Sequence, residues 1–114
     1  MVEIYYNPRC SKCRISKQLL IDAGEIVHEV RYLDSPPTEQ ELQQVLRQLG
    51  LSAREIMRTN EKLYTEMSLD DPKLSENALI HILVEHPILI ERPIVIKDGK
   101  AVIGRPPQNV LELL

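Results

Sequence analysis

The sequence contains no tryptophan and no phenylalanine, and four tyrosines are its only aromatic residues. The hydrophobic core must therefore be built from aliphatic side chains. No uninterrupted apolar run approaches the roughly 20 residues of a membrane-spanning helix, and the first residues do not have the pattern of a signal peptide. Basic residues are not in excess, with 14 Lys and Arg against 17 Asp and Glu. We therefore expect a cytoplasmic protein that binds neither membranes nor nucleic acid.

The remaining composition is that of one soluble globular domain. The chain has 114 residues, of which 43% are hydrophobic and 27% are charged. Domains usually run to roughly 100–200 residues, and this balance is not that of a disordered segment. We expect residues 1–114 to form a single domain. The two cysteines, Cys10 and Cys13, are not expected to form a structural disulfide, because cytosolic thiols are kept reduced.

The first third of the chain has the pattern of a βαβ unit. Residues 2–6 are rich in β-branched and aromatic side chains and predict a strand, and Asn7-Pro8 predicts a turn. A helix is expected over residues 11–23, followed by a parallel partner strand over residues 26–32. The residues expected on the apolar face of this helix are Ile15, Leu19, Leu20 and Ala23.

The middle of the chain, from about residue 38 to residue 86, predicts a helical insert. A capping box at Thr38 and Glu41 opens its first long helix, because each side chain can bind the backbone N–H of the other residue. Ser52 and Glu55 form a second capping box. These helices separate the βαβ unit from the strands that follow.

The last third predicts a β-hairpin and a helix. Residues 92–96 and 101–103 predict strands, and Asp98-Gly99 between them is a strong two-residue hairpin turn. Pro106-Pro107 then opens a terminal helix, since proline suits a first helical turn. A βαβ unit joined to a ββα unit, with a mixed sheet, is the thioredoxin-like α/β fold, here with a helical insert.

In this layout the two cysteines lie where the first strand meets the first helix. The thiolate is the reactive form of cysteine, and a helix N-terminus favours an anion. The segment from Asn7 to Gln18 holds four basic residues and no acidic one. Both effects should lower the pKa of Cys10. Cys13 lies one helical turn further on, where it should be less reactive but close enough to form a disulfide.

Two other interpretations of the cysteine pair remain open. Both side chains could simply fill the core, since free cysteine is often buried. A zinc site would need two further ligands, for which the candidates are His28, His81 and His86. The position at a helix start and the basic flank favour thiol chemistry, and we expect no metal.

Three arginines occur where local structure gives little reason for them: Arg58, Arg92 and Arg105. Each alone could be a solvated side chain at the end of a helix or strand. Together they supply planar guanidinium groups, which suit tetrahedral oxyanions. Arg92 also precedes Pro93, which a thioredoxin-like fold would place beside the cysteines with a cis peptide bond. A thiolate near several arginines indicates a pocket for arsenate, phosphate or a similar oxyanion.

Four motifs resemble those of the glutathione- and glutaredoxin-dependent arsenate reductase (ArsC) family. They are Asn-Pro-Arg-Cys at residues 7–10, Arg-Thr-Asn at 58–60, His-Pro-Ile-Leu-Ile-x-Arg-Pro-Ile at 86–94 and Gly-Arg-Pro at 104–106. The third motif is the most specific, and the likeness runs from residue 2 to residue 113.

This resemblance implies an oxidoreductase that reduces arsenate to arsenite. It implies that Cys10 is the nucleophile, with Asn7 and Pro93 supporting the site. The implied oxyanion ligands are Arg58, Arg92 and Arg105. Glutathione would be the co-substrate and glutaredoxin the protein that recycles the enzyme, with no bound cofactor.

The sequence departs from the family's arsenic-resistance members at two positions. Tyr6 stands where they carry a histidine before Asn-Pro, and Cys13 is a second cysteine that they lack, which makes it a candidate resolving thiol. The alternative is an Spx-type redox-sensing regulator, which shares the Cys-x-x-Cys pair and binds RNA polymerase. Such regulators do not keep the arginines that match Arg58 and Arg105, and a general disulfide oxidoreductase would not need them. Both arginines favour the oxyanion-reducing enzyme.

Overall fold

A computed structural model describes residues 1–114 and contains four strands, four α-helices and three 3₁₀ helices. The strands are β1 (Val2–Tyr5), β2 (Val27–Val30), β3 (Ile94–Lys97) and β4 (Lys100–Ile103). The α-helices are α1 (Ser11–Asp22), α2 (Glu39–Leu49), α3 (Lys62–Glu66) and α4 (Glu76–Glu85), and the 3₁₀ helices are Arg54–Ile56, Pro87–Leu89 and Pro107–Leu113. The chain divides into two compact units, one of Met1–Ser35 with Arg92–Leu114 and one of Pro36–Glu91.

The first unit is built on a mixed sheet in the order β2-β1-β3-β4. β1 pairs parallel with β2, as the crossover through α1 requires. β1 pairs antiparallel with β3, and β3 pairs antiparallel with β4. This arrangement confirms the predicted thioredoxin-like α/β fold.

The β3–β4 hairpin turns at Asp98 and Gly99, as predicted. Both residues have positive φ angles, 51° and 79°. Two consecutive left-handed residues make the turn type that matches the right-handed twist of paired strands. β2 is shorter than the predicted 26–32: it spans only Val27–Val30, with the exposed Ile26 outside it at one end and the buried Tyr32 outside it at the other.

The buried face of α1 matches the predicted one only in part. Its buried side chains are Cys13, Ser16 and Leu20, whereas Ile15 is 48% exposed and Ala23 is also exposed. Small side chains face inward because α1 packs closely against the segment that follows β4, as described below for Ser16. The apolar pattern therefore placed Leu20 and the partly buried Leu19 correctly, and Ile15 and Ala23 incorrectly.

The predicted terminal helix is present, but it is a 3₁₀ helix, Pro107–Leu113. Its hydrogen bonds join residues three apart, as between the N–H of Asn109 and the carbonyl of Pro106 at 3.0 Å. Val110 on this helix is fully buried and joins the core cluster that contains Val2, Ile4 and Leu20.

The second unit, Pro36–Glu91, is helical. α2 begins with the predicted capping box, in which Glu41 N–H donates to Thr38 Oγ1 at 3.1 Å and Thr38 N–H donates to Glu41 Oε1 at 2.9 Å. The helix ends at Gly50, whose φ of 70° suits a glycine. The capping box of Ser52 also forms, but it opens only a single 3₁₀ turn.

α2 and α4 pack together in this unit through aliphatic side chains. The buried residues that they contribute are Leu42, Val45, Leu46, Leu79, Ile80 and Leu83. Full burial of one such side chain stabilises the fold by about 1.5–3 kcal/mol relative to exposure. None of the helices has both the length and the apolar character that crossing a bilayer requires.

Candidate active site

Cys10 is held at the entrance to α1 by a tight turn, as Asn7-Pro8 predicted. The N–H of Cys10 donates to the carbonyl of Asn7 at 3.0 Å, and the N–H of Arg9 donates to Asn7 Oδ1 at 3.0 Å. Cys10 is the N-cap residue with extended backbone, and its carbonyl accepts the first helical bond, from Arg14 N–H at 3.1 Å. The thiol therefore lies at the positive end of the helix dipole.

The pKa of the Cys10 thiol is lowered from its ordinary value. Burial works in the opposite direction, because it disfavours the thiolate. It is outweighed by the backbone N–H of Cys13, by the Cys13 thiol and by the guanidinium of Arg92, all of which stabilise the negative sulfur. Cys10 thus has the thiolate character that a nucleophile needs.

The pKa of the Cys13 thiol is shifted in the opposite direction to that of Cys10. Its side chain is fully buried, and burial raises its pKa to about 12, helped by the neighbouring Cys10. Both cysteines are free thiols in the structure. Cys13 is therefore a neutral donor to the Cys10 thiolate in the reduced protein.

Two of the predicted arginines, Arg92 and Arg105, lie in the same unit as Cys10. Arg105 Nη2 donates towards Cys10 Sγ at 3.9 Å, and Arg105 Nε donates to the carbonyl of Arg92 at 2.7 Å. The Arg92–Pro93 peptide bond is cis, as predicted, and the Arg105–Pro106 bond is cis as well. The segment around Pro93 and the segment after β4 therefore meet beside the nucleophile.

A close approach of main chain to side chains fixes this region at Gly104. A Cβ on this residue would lie 2.7 Å from Pro93 Cγ, 2.7 Å from Ser16 Oγ and 3.1 Å from Val110 Cγ1. The Gly104 N–H also donates to the carbonyl of Pro93 at 2.9 Å. No larger residue fits here without displacing its neighbours, and the sequence pattern gave no sign of this requirement.

The basic flank of the cysteines is partly neutralised by an acidic residue that the sequence pattern did not predict. Glu29 on β2 forms ion pairs with both Lys17 and Arg31, and these cations lie over the ring of Tyr6 at 5.4 Å from its centre. Tyr6 is one of the two positions at which the sequence departs from the family that it resembles. Its ring is buried, and the face of a tyrosine ring attracts cations.

Arg58, the third predicted oxyanion ligand, lies in the second unit. Its Nε donates to Glu61 at 3.1 Å and its Nη1 donates to Glu91 at 2.9 Å. Neither carboxylate was predicted from the sequence. Glu61 could have been found, since it lies three residues after Arg58, whereas nothing in the sequence points to Glu91.

Of the histidines considered for zinc, His28 lies on β2, and His81 and His86 lie in the second unit. His81 lies between Glu39, at 3.2 Å, and Glu85, at 3.1 Å. The hydrogen bond to Glu39 and the charge of Glu85 raise the pKa of His81. The structure has no group of three or more histidine, cysteine or acidic side chains that could hold a metal ion.

Comparison with known proteins identifies the family. The model of the ArsC family matches residues 5–113. The chain is 46% identical over 114 residues to a Neisseria meningitidis protein named arsenate reductase, a match that spans 99% of this chain and 97% of the other. It is 51% identical over 114 residues to the Escherichia coli protein YfgD, spanning 99% and 96%.

A solved structure supports the same assignment. The arsenate reductase from Vibrio cholerae superposes with a TM-score of 0.97 at 47% identity, over 99% of this chain and 97% of that one. The match therefore includes the cysteine segment, the Arg92–Pro93 segment and the C-terminal 3₁₀ helix. The chain is an α/β oxidoreductase that belongs to the ArsC family.

Proposed function

We propose that this protein reduces arsenate to arsenite, with Cys10 as the nucleophile. The observation that carries the proposal is the environment of its sulfur, a thiolate with a lowered pKa at a helix N-terminus, within 3.9 Å of an arginine nitrogen. The relatives named arsenate reductase support the choice of oxyanion. The proposed oxyanion ligands are Arg58, Arg92 and Arg105.

In the first step, the Cys10 thiolate attacks arsenic(V). An S–As bond forms and one As–O bond breaks, and the departing oxygen leaves as water after it is protonated. The arginines neutralise charge on the oxyanion, which removes the repulsion between two negative reactants. Asn7 and Pro93 hold the segments that carry Cys10 and Arg92.

In the second step, a thiolate attacks Cys10 Sγ in this adduct. An S–S bond forms and the S–As bond breaks, and its electron pair stays on arsenic, which leaves as arsenite. Both sulfurs are oxidised and arsenic is reduced from +5 to +3, so the electrons balance. We propose glutathione as this thiol and glutaredoxin as the protein that then reduces the mixed disulfide, in the cytoplasm, where thiols are kept reduced.

We also propose that Cys13 is an internal alternative to glutathione. Part of the rise in its pKa comes from the neighbouring Cys10. That part disappears once Cys10 Sγ is bonded to arsenic and no longer carries a charge. Burial still opposes the Cys13 thiolate, so resolution by Cys13 would be slower than attack by an accessible thiol.

Mass spectrometry after one turnover separates these two routes. Resolution by Cys13 leaves a Cys10–Cys13 disulfide, lighter than the reduced protein by two hydrogens. A glutathione adduct on Cys10 that is unchanged in Cys13→Ser would leave Cys13 as a packing residue and donor.

The test of the proposed function is arsenite formation by the purified protein. Glutathione with glutaredoxin is compared with thioredoxin as the reductant, and Cys10→Ser is the control. We expect arsenite with glutathione and glutaredoxin and none from Cys10→Ser. Absence of arsenite with every reductant, together with retention of RNA polymerase on the immobilised protein, would favour the regulator instead.

A further inference from the structure

The guanidinium of Arg58 is bound by two carboxylates. Nε and Nη1 each donate one hydrogen bond, to Glu61 and Glu91 respectively. The Arg58 side chain is only 12% exposed, and the side chains of Glu61 and Glu91 are 24% and 27% exposed. The group is therefore largely shielded from water, where ion pairs are stronger than at an open surface.

The backbone that carries Arg58 and Glu91 is held by hydrogen bonds between two segments. Met57 and Ile90 form an antiparallel bridge. The N–H of Arg58 donates to the carbonyl of Leu89 at 2.8 Å, and the N–H of Glu91 donates to the carbonyl of Ile56 at 2.8 Å. The apolar residues of these two segments are all buried: Ile56, Met57, Leu89 and Ile90. Arg58 and Glu91 thus project from paired segments whose positions are fixed by the core.

We propose that Glu61 and Glu91 are positioning residues that fix the guanidinium of Arg58 for oxyanion binding, an inference that rests on the proposed function. Glu61 accepts a hydrogen bond from Nε of Arg58, and Glu91 accepts one from Nη1. Nη2 makes neither bond and is left to donate to an oxyanion. An arginine side chain has several rotatable bonds, and holding it in place before the anion arrives removes an ordering cost from binding.

The same carboxylates could act in the opposite sense. Each carboxylate carries a negative charge, which repels an incoming anion. Positioning predicts that removing a carboxylate weakens anion binding, whereas charge repulsion predicts that it strengthens binding. The two effects therefore differ in sign, and affinity measurements distinguish them.

The experiment measures arsenate affinity by titration calorimetry in the full-length Cys10→Ser protein, where no covalent adduct forms. Glu61 and Glu91 are each replaced by Ala and by Gln. Gln keeps an oxygen acceptor for Arg58 without the charge. The matched control is Glu66→Ala, because Glu66 pairs with Lys62 at 3.6 Å in the neighbouring exposed turn of α3.

We expect each Ala variant to raise the arsenate Kd about two- to tenfold, since a freed side chain must be ordered again on binding. Each Gln variant should stay within about twofold of the parent, because the hydrogen bond remains. Glu66→Ala should leave Kd unchanged. If an Ala variant does not fold, the Gln variant still distinguishes the two roles. Charge repulsion predicts that the Gln variant binds arsenate more tightly than the parent, whereas positioning predicts no such gain.

An unchanged or lowered Kd in both Ala variants would overturn the positioning role. If the expected order of affinities appears while the wild-type protein forms no arsenite, the proposed reaction fails and the positioning role stands. A parent protein that binds no arsenate at all would overturn both.

Discussion

Replacing Gly104 by Ala tests whether close packing beside the candidate site is as tight as the geometry indicates. The added Cβ would lie 2.7 Å from both Pro93 Cγ and Ser16 Oγ, well inside normal contact. Pro93 is a ring and Ser16 lies on the buried face of a helix, so neither neighbour can move freely. Gly104 has no positive φ, so the penalty is purely steric.

The expected loss of stability is that of an overpacked core, about 1–3 kcal/mol. For a chain of this size that corresponds to a fall in Tm of about 4–12 °C. Ser16 supplies an internal comparison. Its hydroxyl is buried and pairs with no donor or acceptor, so Ser16→Ala alone should stabilise the protein by about 1 kcal/mol.

The free-energy coupling between positions 16 and 104 is measured by urea denaturation of the wild type, both single variants and the double variant. Ser16→Ala removes one of the two shortest contacts, so the double variant should recover part of the loss, with a coupling energy above about 0.5 kcal/mol. Wild-type stability in Gly104→Ala, or strictly additive effects in the double variant, would refute the steric argument.

Further predictions concern the thiolate and the helix caps. Cys13→Ala and Arg92→Ala should each shift the pH midpoint of Cys10 alkylation by iodoacetamide to higher pH, because each removes a group that lowers the pKa of Cys10; an unchanged midpoint in both would contradict the assigned causes. Thr38→Ala should cost about 1 kcal/mol of stability in urea denaturation. Ser75→Ala should cost a similar amount, since each substitution removes one capping bond, that of Ser75 being accepted from Ala78 N–H at 3.1 Å. Glu41→Ala removes the reciprocal bond that Glu41 accepts from Thr38 N–H, and wild-type stability in that variant would show that this bond adds nothing.

Local signals predicted much of this fold correctly. The Asp98-Gly99 turn and the Thr38 capping box are encoded within a few residues, and each formed as expected. The position of Cys10 at a helix start followed from Asn7-Pro8 and the periodicity after it. These features depend on neighbours in sequence, where spacing is informative.

The features that were predicted incorrectly or missed depend on contacts between distant residues. Ile15 was expected on the buried face of α1, but the segment around Gly104 selects Ser16 for that face. Glu91 binds Arg58 across 33 positions in sequence, and no periodicity links them. The charge of Lys17 was expected to favour the thiolate, but Glu29 from β2 pairs with it.

The hydrogen bond from Arg105 Nε to the main-chain oxygen of Arg92 makes these two residues thermodynamically dependent on each other. Truncating Arg105 removes a guanidinium and also releases the backbone from which Arg92 projects. A double-mutant cycle on the pair should therefore be strongly non-additive, with the second substitution costing less than it does alone. Their proposed contribution to anion binding belongs to the pair, and an alanine scan of single residues would count part of it twice.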